Sequence, residues 1–177
     1  MANCVSLSKG RKIACKEGSA GIKAVSFAPF DKAIVFTITA GEVATMPLGI
    51  TEVFEYETLN DGSSYTETIS SDRQTRSTLF TGALNLVLAK FDTDTRNEIL
   101  MLTKGLVWVF IEDYNGNVFL TGVNEGADLV GGTIATGGAR TDLQGFTLNF
   151  TSLENAPLCK LSSAAVTTYN SVKVEGL

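Results

Sequence analysis

The sequence predicts a mainly β protein, a twisted β-sandwich or barrel of antiparallel strands with one flanking α-helix. Three stretches carry this prediction. Residues 82–91 place a leucine at every second position from 84 to 88, residues 106–111 are a short apolar run rich in β-branched and aromatic side chains, and residues 145–151 alternate apolar and polar side chains. Seventeen glycines against three prolines, with 44% apolar content, are typical of an ordered chain rich in strands and turns.

The N-terminal residues 1–32 predict an arm that becomes ordered only when it docks. They mix small, polar and basic side chains around several glycines, and short strands are possible at residues 4–7 and 22–27. After this arm, the β-branched residues 33–39 predict the first strand of a single β-rich domain that extends over residues 33–157.

Residues 50–71 predict an extended hairpin arm, with limbs at 50–58 and 63–71 and a turn at Asn60, Asp61 and Gly62. Both limbs are rich in Thr, Ser and aromatic residues, and both carry acids. A hairpin with so little apolar surface is marginally stable alone. We therefore expect it to lie against its own core or against a neighbouring subunit.

The next strands have clear inward faces. The leucines of residues 82–91 fall on one side because successive side chains of a strand point to opposite faces; they are Leu84, Leu86 and Leu88. The run at 106–111 is apolar on both faces, which predicts a central strand with Trp108 in the core. Asn115 and Gly116 then predict a type I′ hairpin turn.

One helix is predicted between these strands, over about residues 94–104. Thr95 and Glu98 have the spacing of a capping box at its start, and Gly105 fits a left-handed residue at its end. At roughly three turns the helix is marginal in isolation, so it must lie on the sheet. Its inward-facing pair is one of two sets, Ile99 with Leu102 or Leu100 with Met101.

The last strands close the predicted domain. Residues 129–136 fit a strand kinked at its glycines. The strand at 145–151 turns three side chains inward, namely Phe146, Leu148 and Phe150. Residues 158–177 have too little apolar content for a core of their own, which predicts a C-terminal arm.

Composition argues against several kinds of chemistry. The chain has no histidine, which removes His-based triads, His metal sites and the usual general base near neutral pH. Cys4, Cys15 and Cys159 are odd in number and lack CxxC spacing, which argues against a disulfide framework and structural zinc. We therefore predict that the protein is not an enzyme and has no catalytic residue, no cofactor and no metal site.

Charge is divided along the chain. Residues 1–32 hold six basic and two acidic residues, a net +4, whereas residues 33–72 hold seven acids and no base, a net −7. The two segments either neutralise each other within one subunit or attract a second copy head to tail. On the second interpretation, aromatic and charged residues of both segments form the subunit interface: Phe54, Glu55, Tyr56, Glu57, Tyr65, Glu67, Lys9, Arg11 and Lys12.

Four features, in their order along the chain, resemble a known group of proteins. They are Arg96 to Leu102, Asp113 to Gly122, Asp142 to Gly145, and the closing strand before Glu154. Over about residues 50–157 they resemble small virion structural proteins of tailed, crAss-like phages that infect Bacteroidetes, especially tail-tube-like and neck-ring proteins. The resemblance implies a twisted β-sandwich or barrel whose hairpin and terminal arms join copies into a ring around a DNA channel.

The implied partners are copies of the chain in a ring, neighbouring virion ring or portal-side proteins, and DNA that passes through the channel without sequence-specific binding. No membrane is implied, since no apolar run approaches a membrane span and the N-terminus lacks the pattern of a signal peptide. The implied localisation is the virion, assembled in the cytoplasm of a bacterial host. We expect some acids of residues 42–72 to face the channel or the basic arm of the next subunit.

Two alternatives remain open at this point. One is a capsid-decorating or fibre-type virion protein. The other is a carbohydrate-binding β-sandwich, for which Tyr56, Tyr65 and Tyr114 are the candidate exposed aromatics.

Overall fold

The computed structural model describes residues 10–11, 18–59 and 62–176. Strands account for 48% of the chain and helices for 13%, so the predicted mainly β fold class is confirmed. The strands are β1 (Ile22–Pro29), β2 (Thr37–Thr39), β3 (Glu42–Thr45), β4 (Val53–Glu57), β5 (Ser64–Asp72), β6 (Ser77–Ala89), β7 (Val107–Asp113), β8 (Val118–Thr121), β9 (Ala127–Ala135), β10 (Gly145–Glu154), β11 (Cys159–Leu161) and β12 (Lys173–Val174). The helices are α1 (Thr93–Leu102) and α2 (Ser163–Val172), the second of which was not predicted.

Hydrogen bonds join all the strands into one continuous sheet, which folds over itself into two parts. We call these parts the large sheet and the small sheet. The large sheet has the order β2-β3-β11-β8-β7-β1-β4-β12, and the small sheet has the order β9-β10-β6-β5. They meet where Val107 of β7 pairs with Ala127 of β9. Their inner faces pack together, as Phe27 of β1 stacks on Phe150 of β10 with ring centroids 4.8 Å apart. The result is the predicted sandwich-like arrangement.

β7 lies in the middle layer and is buried on both faces. Val107, Val109 and Ile111 pack into the core between the two sheets. Trp108 and Phe110 point the other way, into a second core that α2 covers. The prediction of a central strand with Trp108 in the core is confirmed.

The small sheet follows its predicted alternation. The six side chains predicted to point inward are all buried: Leu84, Leu86, Leu88, Phe146, Leu148 and Phe150. β6 and β10 pair antiparallel along ten residue pairs, from Gly145 opposite Ala89 to Glu154 opposite Phe80. The glycine-containing strand predicted at 129–136 is β9, and its irregularity lies at Val130, which has no partner in the register with β10.

The C-terminal residues 158–176 were predicted as an arm and instead complete the second core. They form β11, α2 and β12 on the large sheet. Tyr169 of α2 is fully buried, and its hydroxyl shares a hydrogen bond of 2.7 Å with Ser26 Oγ of β1. The prediction is wrong because a segment poor in apolar residues needs no core of its own when it covers apolar residues that other strands supply.

The N-terminal part of the domain also differs from the prediction. Residues 22–29 form β1, a buried strand between β4 and β7, and are not part of an arm. The strand predicted at 33–39 is reduced to β2, because Asp31 initiates a turn in which its carboxylate accepts a hydrogen bond from the Ala33 N–H. β3 lies between the strand predicted at 33–39 and the hairpin predicted at 50–71, where no strand was predicted.

The hairpin predicted over residues 50–71 does not form. β4 pairs with β1 and β12, whereas β5 pairs with β6, from Ser64 opposite Asn85 to Asp72 opposite Ser77. The hairpin turn therefore lies at residues 73–76, where the Asp72 carboxylate accepts a hydrogen bond from the Gln74 N–H. The prediction fails because β6 is 13 residues long and offers β5 a longer partner than β4 does.

α1 confirms the predicted helix but begins and ends differently. Its N-cap is Asp92, whose carboxylate accepts hydrogen bonds from the N–H groups of Asp94 and Thr95, so the predicted capping box is wrong. The C-cap is Thr103 in a right-handed conformation, and Gly105 is not left-handed.

The side of α1 that faces the core carries the first of the two predicted pairs, Ile99 and Leu102. Leu102 is buried and Ile99 packs against the core between the sheets. Leu100 and Met101 are exposed.

The hairpin between β7 and β8 forms, with a different turn. Among the residues of this turn, only Gly116 has a positive φ, of 77°. The Gly116 N–H donates a hydrogen bond to the Asp113 carbonyl at 3.2 Å. This is a type I turn followed by a left-handed residue, not type I′. The Asp113 carboxylate favours it by accepting hydrogen bonds from the N–H groups of Asn115 and Asn117.

Replacing Tyr169 with Ala should lower the free energy of unfolding by about 3–5 kcal/mol, because it empties part of the second core. Replacing its exposed neighbour Asn170 with Ala should change it by no more than about 0.5 kcal/mol. Urea denaturation of both variants measures the difference. Equal, small effects would contradict the docked position of α2.

The contribution of Asp113 to the free energy of unfolding should depend on pH. Partial burial raises the pKa of Asp113, but hydrogen bonds from Asn117 and Asn115 outweigh it and lower the pKa below 3.8. Stability from a carboxylate with a lowered pKa is fully present above its unfolded value and is lost as pH falls through the folded value. The stability difference between wild type and Asp113→Ala should therefore be constant near neutral pH and shrink below pH 3.8, as urea denaturation at several pH values would measure.

Candidate assembly surface

The small sheet has two long strands with open edges. β5 and β9 are nine residues each. Within the described residues, β5 pairs only with β6, and β9 pairs with β10 and touches β7 only at Ala127. The large sheet ends differently, in β2 and β12 of three and two residues. Unpaired backbone groups are therefore concentrated on the small sheet.

Neither open strand is protected by Lys, Arg or Pro, although β9 has an irregularity at Val130 and β5 turns the charged Glu67 inward. β5 and β9 contain no Lys, Arg or Pro, although natural proteins commonly place Lys or Pro on edge strands to prevent pairing. Both strands instead expose β-branched apolar side chains. Ile69 of β5 is 64% exposed and Ile134 of β9 is 67% exposed.

The two open strands run in opposite directions. Each neighbouring pair in the order β9-β10-β6-β5 is antiparallel. Four antiparallel strands in a row place the first and the last in opposite orientations. Head-to-tail pairing of β5 in one copy with β9 in the next would therefore also be antiparallel, and the sheet would continue in the same pattern.

The outer face of the small sheet is polar and almost uncharged. The register places Ser, Thr, Asn and small residues at most of its outward positions, including Ser64, Thr66, Thr68, Thr81, Ala83, Asn85, Thr133, Thr147, Asn149 and Thr151. These outward positions include no Lys or Arg, and the acids among them are Asp72 and Asp128. Such a face offers little to hold a phosphate.

Two of the four predicted interface residues of β4 serve the subunit itself. The Glu55 carboxylate accepts a hydrogen bond from Lys173 Nζ at 2.9 Å, which ties β12 to β4. The Tyr56 ring packs edge-on against Phe27. Burial raises the pKa of Tyr56 to about 12, and the nearby Glu98 carboxylate adds to this. Phe54 and Glu57 remain exposed.

The predicted interface residues of β5 point inward. The Tyr65 hydroxyl donates to Thr121 Oγ1 at 3.2 Å, and the Glu67 carboxylate accepts hydrogen bonds from the Leu158 N–H at 3.1 and 3.2 Å. Gly82 makes room for this contact, since a Cβ there would collide with the Tyr65 hydroxyl. Tyr65 thus connects the small sheet to β8, and Glu67 connects it to the loop that leads into β11. Their spacing of two on one strand was the only sequence signal that they share a face.

The basic residues of the predicted interface are largely undescribed. Arg11 is exposed, and Lys9 and Lys12 lie outside the described residues. Lys23, also in the N-terminal segment, forms an ion pair with Glu112, and the hydrogen bond with Glu112 raises the pKa of Lys23. Among the described residues, the ion pairs of Lys23 and Lys173 both lie within the subunit.

The aromatic residues of the carbohydrate-binding alternative do not form a platform. Tyr56 and Tyr65 are partly buried and packed against the core between the sheets. Tyr114 is exposed to 40% beside Gly21, apart from them on the β7–β8 hairpin. This alternative gains no support from the structure.

Three further findings concern metal ligands, a cysteine and membrane spans. Within the ranges that the structure describes, no three His, Cys, Asp or Glu side chains lie together as a metal site requires. Cys159 is buried, and burial raises the pKa of its thiol. Neither α1 nor α2 has the length and apolar character needed to cross a bilayer.

The described fold defines a class of protein, a mainly β sandwich with one open-edged sheet. Comparisons of the chain with protein-family models, with curated proteins and with solved structures found no match. The open edges and the almost uncharged face of the small sheet are the features from which a function can be inferred.

The two glutamates of the predicted interface should respond differently to substitution. Glu67→Ala should lower the free energy of unfolding by about 1–3 kcal/mol, because it leaves the partly buried Leu158 N–H without its acceptor. Glu57→Ala, on the exposed end of β4, should change it by no more than about 0.5 kcal/mol. Chemical denaturation of dilute protein measures both. A larger effect of Glu57→Ala would contradict the internal role assigned to Glu67.

Proposed function

We propose that this chain is a virion structural protein of a tailed phage, which self-assembles into a ring of the tail tube or neck around the DNA channel. The observation that supports this most directly is the pair of long open edges, along β5 and along residues 128–135 of β9, on opposite sides of one four-stranded sheet. An exposed edge of this length is a template for pairing with another chain. A protein with two such edges is stabilised when both edges pair with neighbouring copies.

The ring closes by continuing the small sheet. β5 of each copy pairs antiparallel with β9 of the next, so that backbone N–H and C=O groups on both edges find partners. Each contact is heterologous, and such contacts generate a closed ring when the rotation between copies returns to the start. Closure leaves no free edge on the small sheet, as in a β-barrel.

The outer face of the small sheet lines the channel in this proposal. Its outward positions lack Lys and Arg, and protein cations are what hold DNA phosphates. DNA can then slide past without sequence-specific binding. The expected acidic channel is revised, because Glu55 and Glu67 are used inside the subunit and only Asp72, of the described acids in residues 42–72, lies on this face.

The remaining partners and the localisation belong to the same proposal. A ring in a tail or neck contacts neighbouring ring or portal-side proteins, and it is assembled in the bacterial cytoplasm before it resides in the virion. The capsid-decorating or fibre-type alternative does not require pairing of β5 with β9. Ring formation therefore separates the two.

The edge contact can be blocked at Ile134. Ile134 shares the inner face of the small sheet with Phe146, which it opposes in the register. Ile134→Lys should reduce ring assembly at least tenfold, because pairing would force the charge against the inner face of the next copy. Mass photometry and negative-stain imaging of purified protein measure the assemblies.

Ile134→Thr is the matched control. It keeps a β-branched residue that is suited to a strand and carries no charge, so rings should persist. A wild-type protein that stays monomeric at high concentration would contradict the proposed function. So would a Lys variant that forms rings as readily as wild type.

A further inference from the structure

The two open edges of the small sheet are not level with each other. Thr68, at the middle of β5, lies opposite Thr81 of β6. Gly131, at the middle of β9, lies opposite Asn149 of β10, which in turn lies opposite Asn85 of β6. The centre of β9 is therefore displaced from the centre of β5 by the four positions that separate Thr81 from Asn85. Copies that pair these edges along their full length must be displaced by the same amount.

The alternation of side chains restricts how the edges can pair. A shift of one residue turns every side chain to the opposite face, so inward residues of β5 must meet inward residues of β9. Those of β5 include Tyr65, Glu67 and Ile69, and those of β9 include Leu129, Gly132 and Ile134. Only displacements by an even number of residues keep these faces matched.

The free backbone groups follow the same alternation. The Lys90 N–H donates to the Gln144 carbonyl at 2.6 Å, so hydrogen-bonded pairs of β6 and β10 recur at every second position from this pair. Carried across the registers of the small sheet, this alternation points the N–H and C=O groups of the inward residues of β5 to the open edge. The same holds for Gly132 and Ile134 of β9. Inward residues of two copies can therefore exchange both hydrogen bonds.

One register brings the two strands together centre to centre. It places Thr68 of one copy opposite Gly131 of the next, and Tyr65 opposite Ile134. Ile134 is exposed in the single copy, and in this register it gains an aromatic partner of the kind that stabilises cross-strand pairs. The whole open edge of β9, residues 128–135, then lies along β5.

The irregularity of β9 fits the same register. Val130 has no partner in β10, and skipping it on the open side as well keeps the inward faces matched. The exposed Ile69 then lies opposite Leu129. The exposed isoleucines of both open strands therefore obtain apolar partners.

Other registers with matched faces lose these contacts. A displacement of two residues brings the Glu67 carboxylate against an apolar side chain, Ile134 in one direction and Leu129 in the other, and a charge is costly in such a place. Larger displacements leave about half of one strand without partners, even where one of them brings Ile69 against Ile134. The centre-to-centre register is therefore favoured by both side chains and backbone.

The displacement also sets the direction of the strands in a ring. Each copy contributes four strands to the continuous sheet, and each step to the next copy advances the register by four residues. With about 3.3 Å per residue along a strand and about 4.8 Å between strands, the strands are tilted by about 35° from the ring axis. Closed barrels have tilts of roughly 35–45°. The register that the side chains favour is therefore one that a closed ring can adopt.

We propose that β5 of one copy pairs with β9 of the next in this register, with Tyr65 opposite Ile134 and Thr68 opposite Gly131, so that the ring closes as a barrel of tilted strands. The partner of each edge is a second copy of this chain. This inference rests on the proposed function and adds the residue contacts by which one copy recognises the next.

Disulfide cross-linking tests the register. Thr66 of one copy lies opposite Thr133 of the next, in a pair without mutual hydrogen bonds whose Cα atoms are about 4.5 Å apart, a distance that a disulfide can bridge. The tested chain carries Thr66→Cys and Thr133→Cys, with Cys4→Ser and Cys15→Ser so that the buried Cys159 is the only other thiol. Mild oxidation should link copies into a ladder of covalent oligomers, measured by non-reducing electrophoresis.

The pair Ser70→Cys with Thr133→Cys, in the same background, is the matched control. These positions lie opposite each other only in a register displaced by four residues, so linked product should be at least about tenfold lower. A mixture of the two single variants, Thr66→Cys and Thr133→Cys, should give covalent dimers and no larger product, because each contact joins β5 of one copy to β9 of another.

Negative-stain images of the same samples separate the two ways of failing. Rings in which the control pair links as well as the first pair, or in which neither pair links, would overturn the register and leave the proposed function standing. Protein that stays monomeric and gives no linked product would overturn both.

Discussion

The burial of β7 on both faces is the constraint on which the rest of the structure depends. Val109 and Phe110 are adjacent and both fully buried, yet they belong to different cores. Burying a side chain of this kind contributes about 1.5–3 kcal/mol, so each face of β7 needs its own cover. The small sheet covers one face and α2, with the loops before β4, covers the other. Three layers follow from one six-residue apolar run.

This layering decides which surfaces remain available. The large sheet is the middle layer, so its faces are used, and its borders end in strands too short to pair further. The small sheet is an outer layer whose inner face is buried, and on its outer face Val87 is buried beside Gly62. Most of the outer face and the two long edges are open within the described structure, and they are the surfaces that a ring would use. Assembly through them relies on backbone hydrogen bonds, which require geometry more than particular side chains.

Side chains that looked suited to a subunit interface are used to hold the layers together. Glu67 and Tyr65 connect β5 to the loop before β11 and to Thr121 of β8. Glu55 and Lys173 fasten the last strand to β4. A partly buried carboxylate requires hydrogen-bond donors, and in this fold the nearest donors belong to the same chain. The division of charge along the sequence therefore does not by itself describe a contact between copies.

Local periodicity determined much of this protein. The alternation in β6 and β10, the apolar run of β7 and the position of α1 are properties of short stretches, so the mainly β class and the inner faces could be predicted from residues such as Leu86, Trp108 and Leu148. The tertiary structure alone decided which strands pair. β5 pairs with β6 and not with β4, and the residues around Tyr169 join a core that distant strands build. Pairing and docking depend on the lengths and faces of partners far apart in sequence, and no local pattern records them.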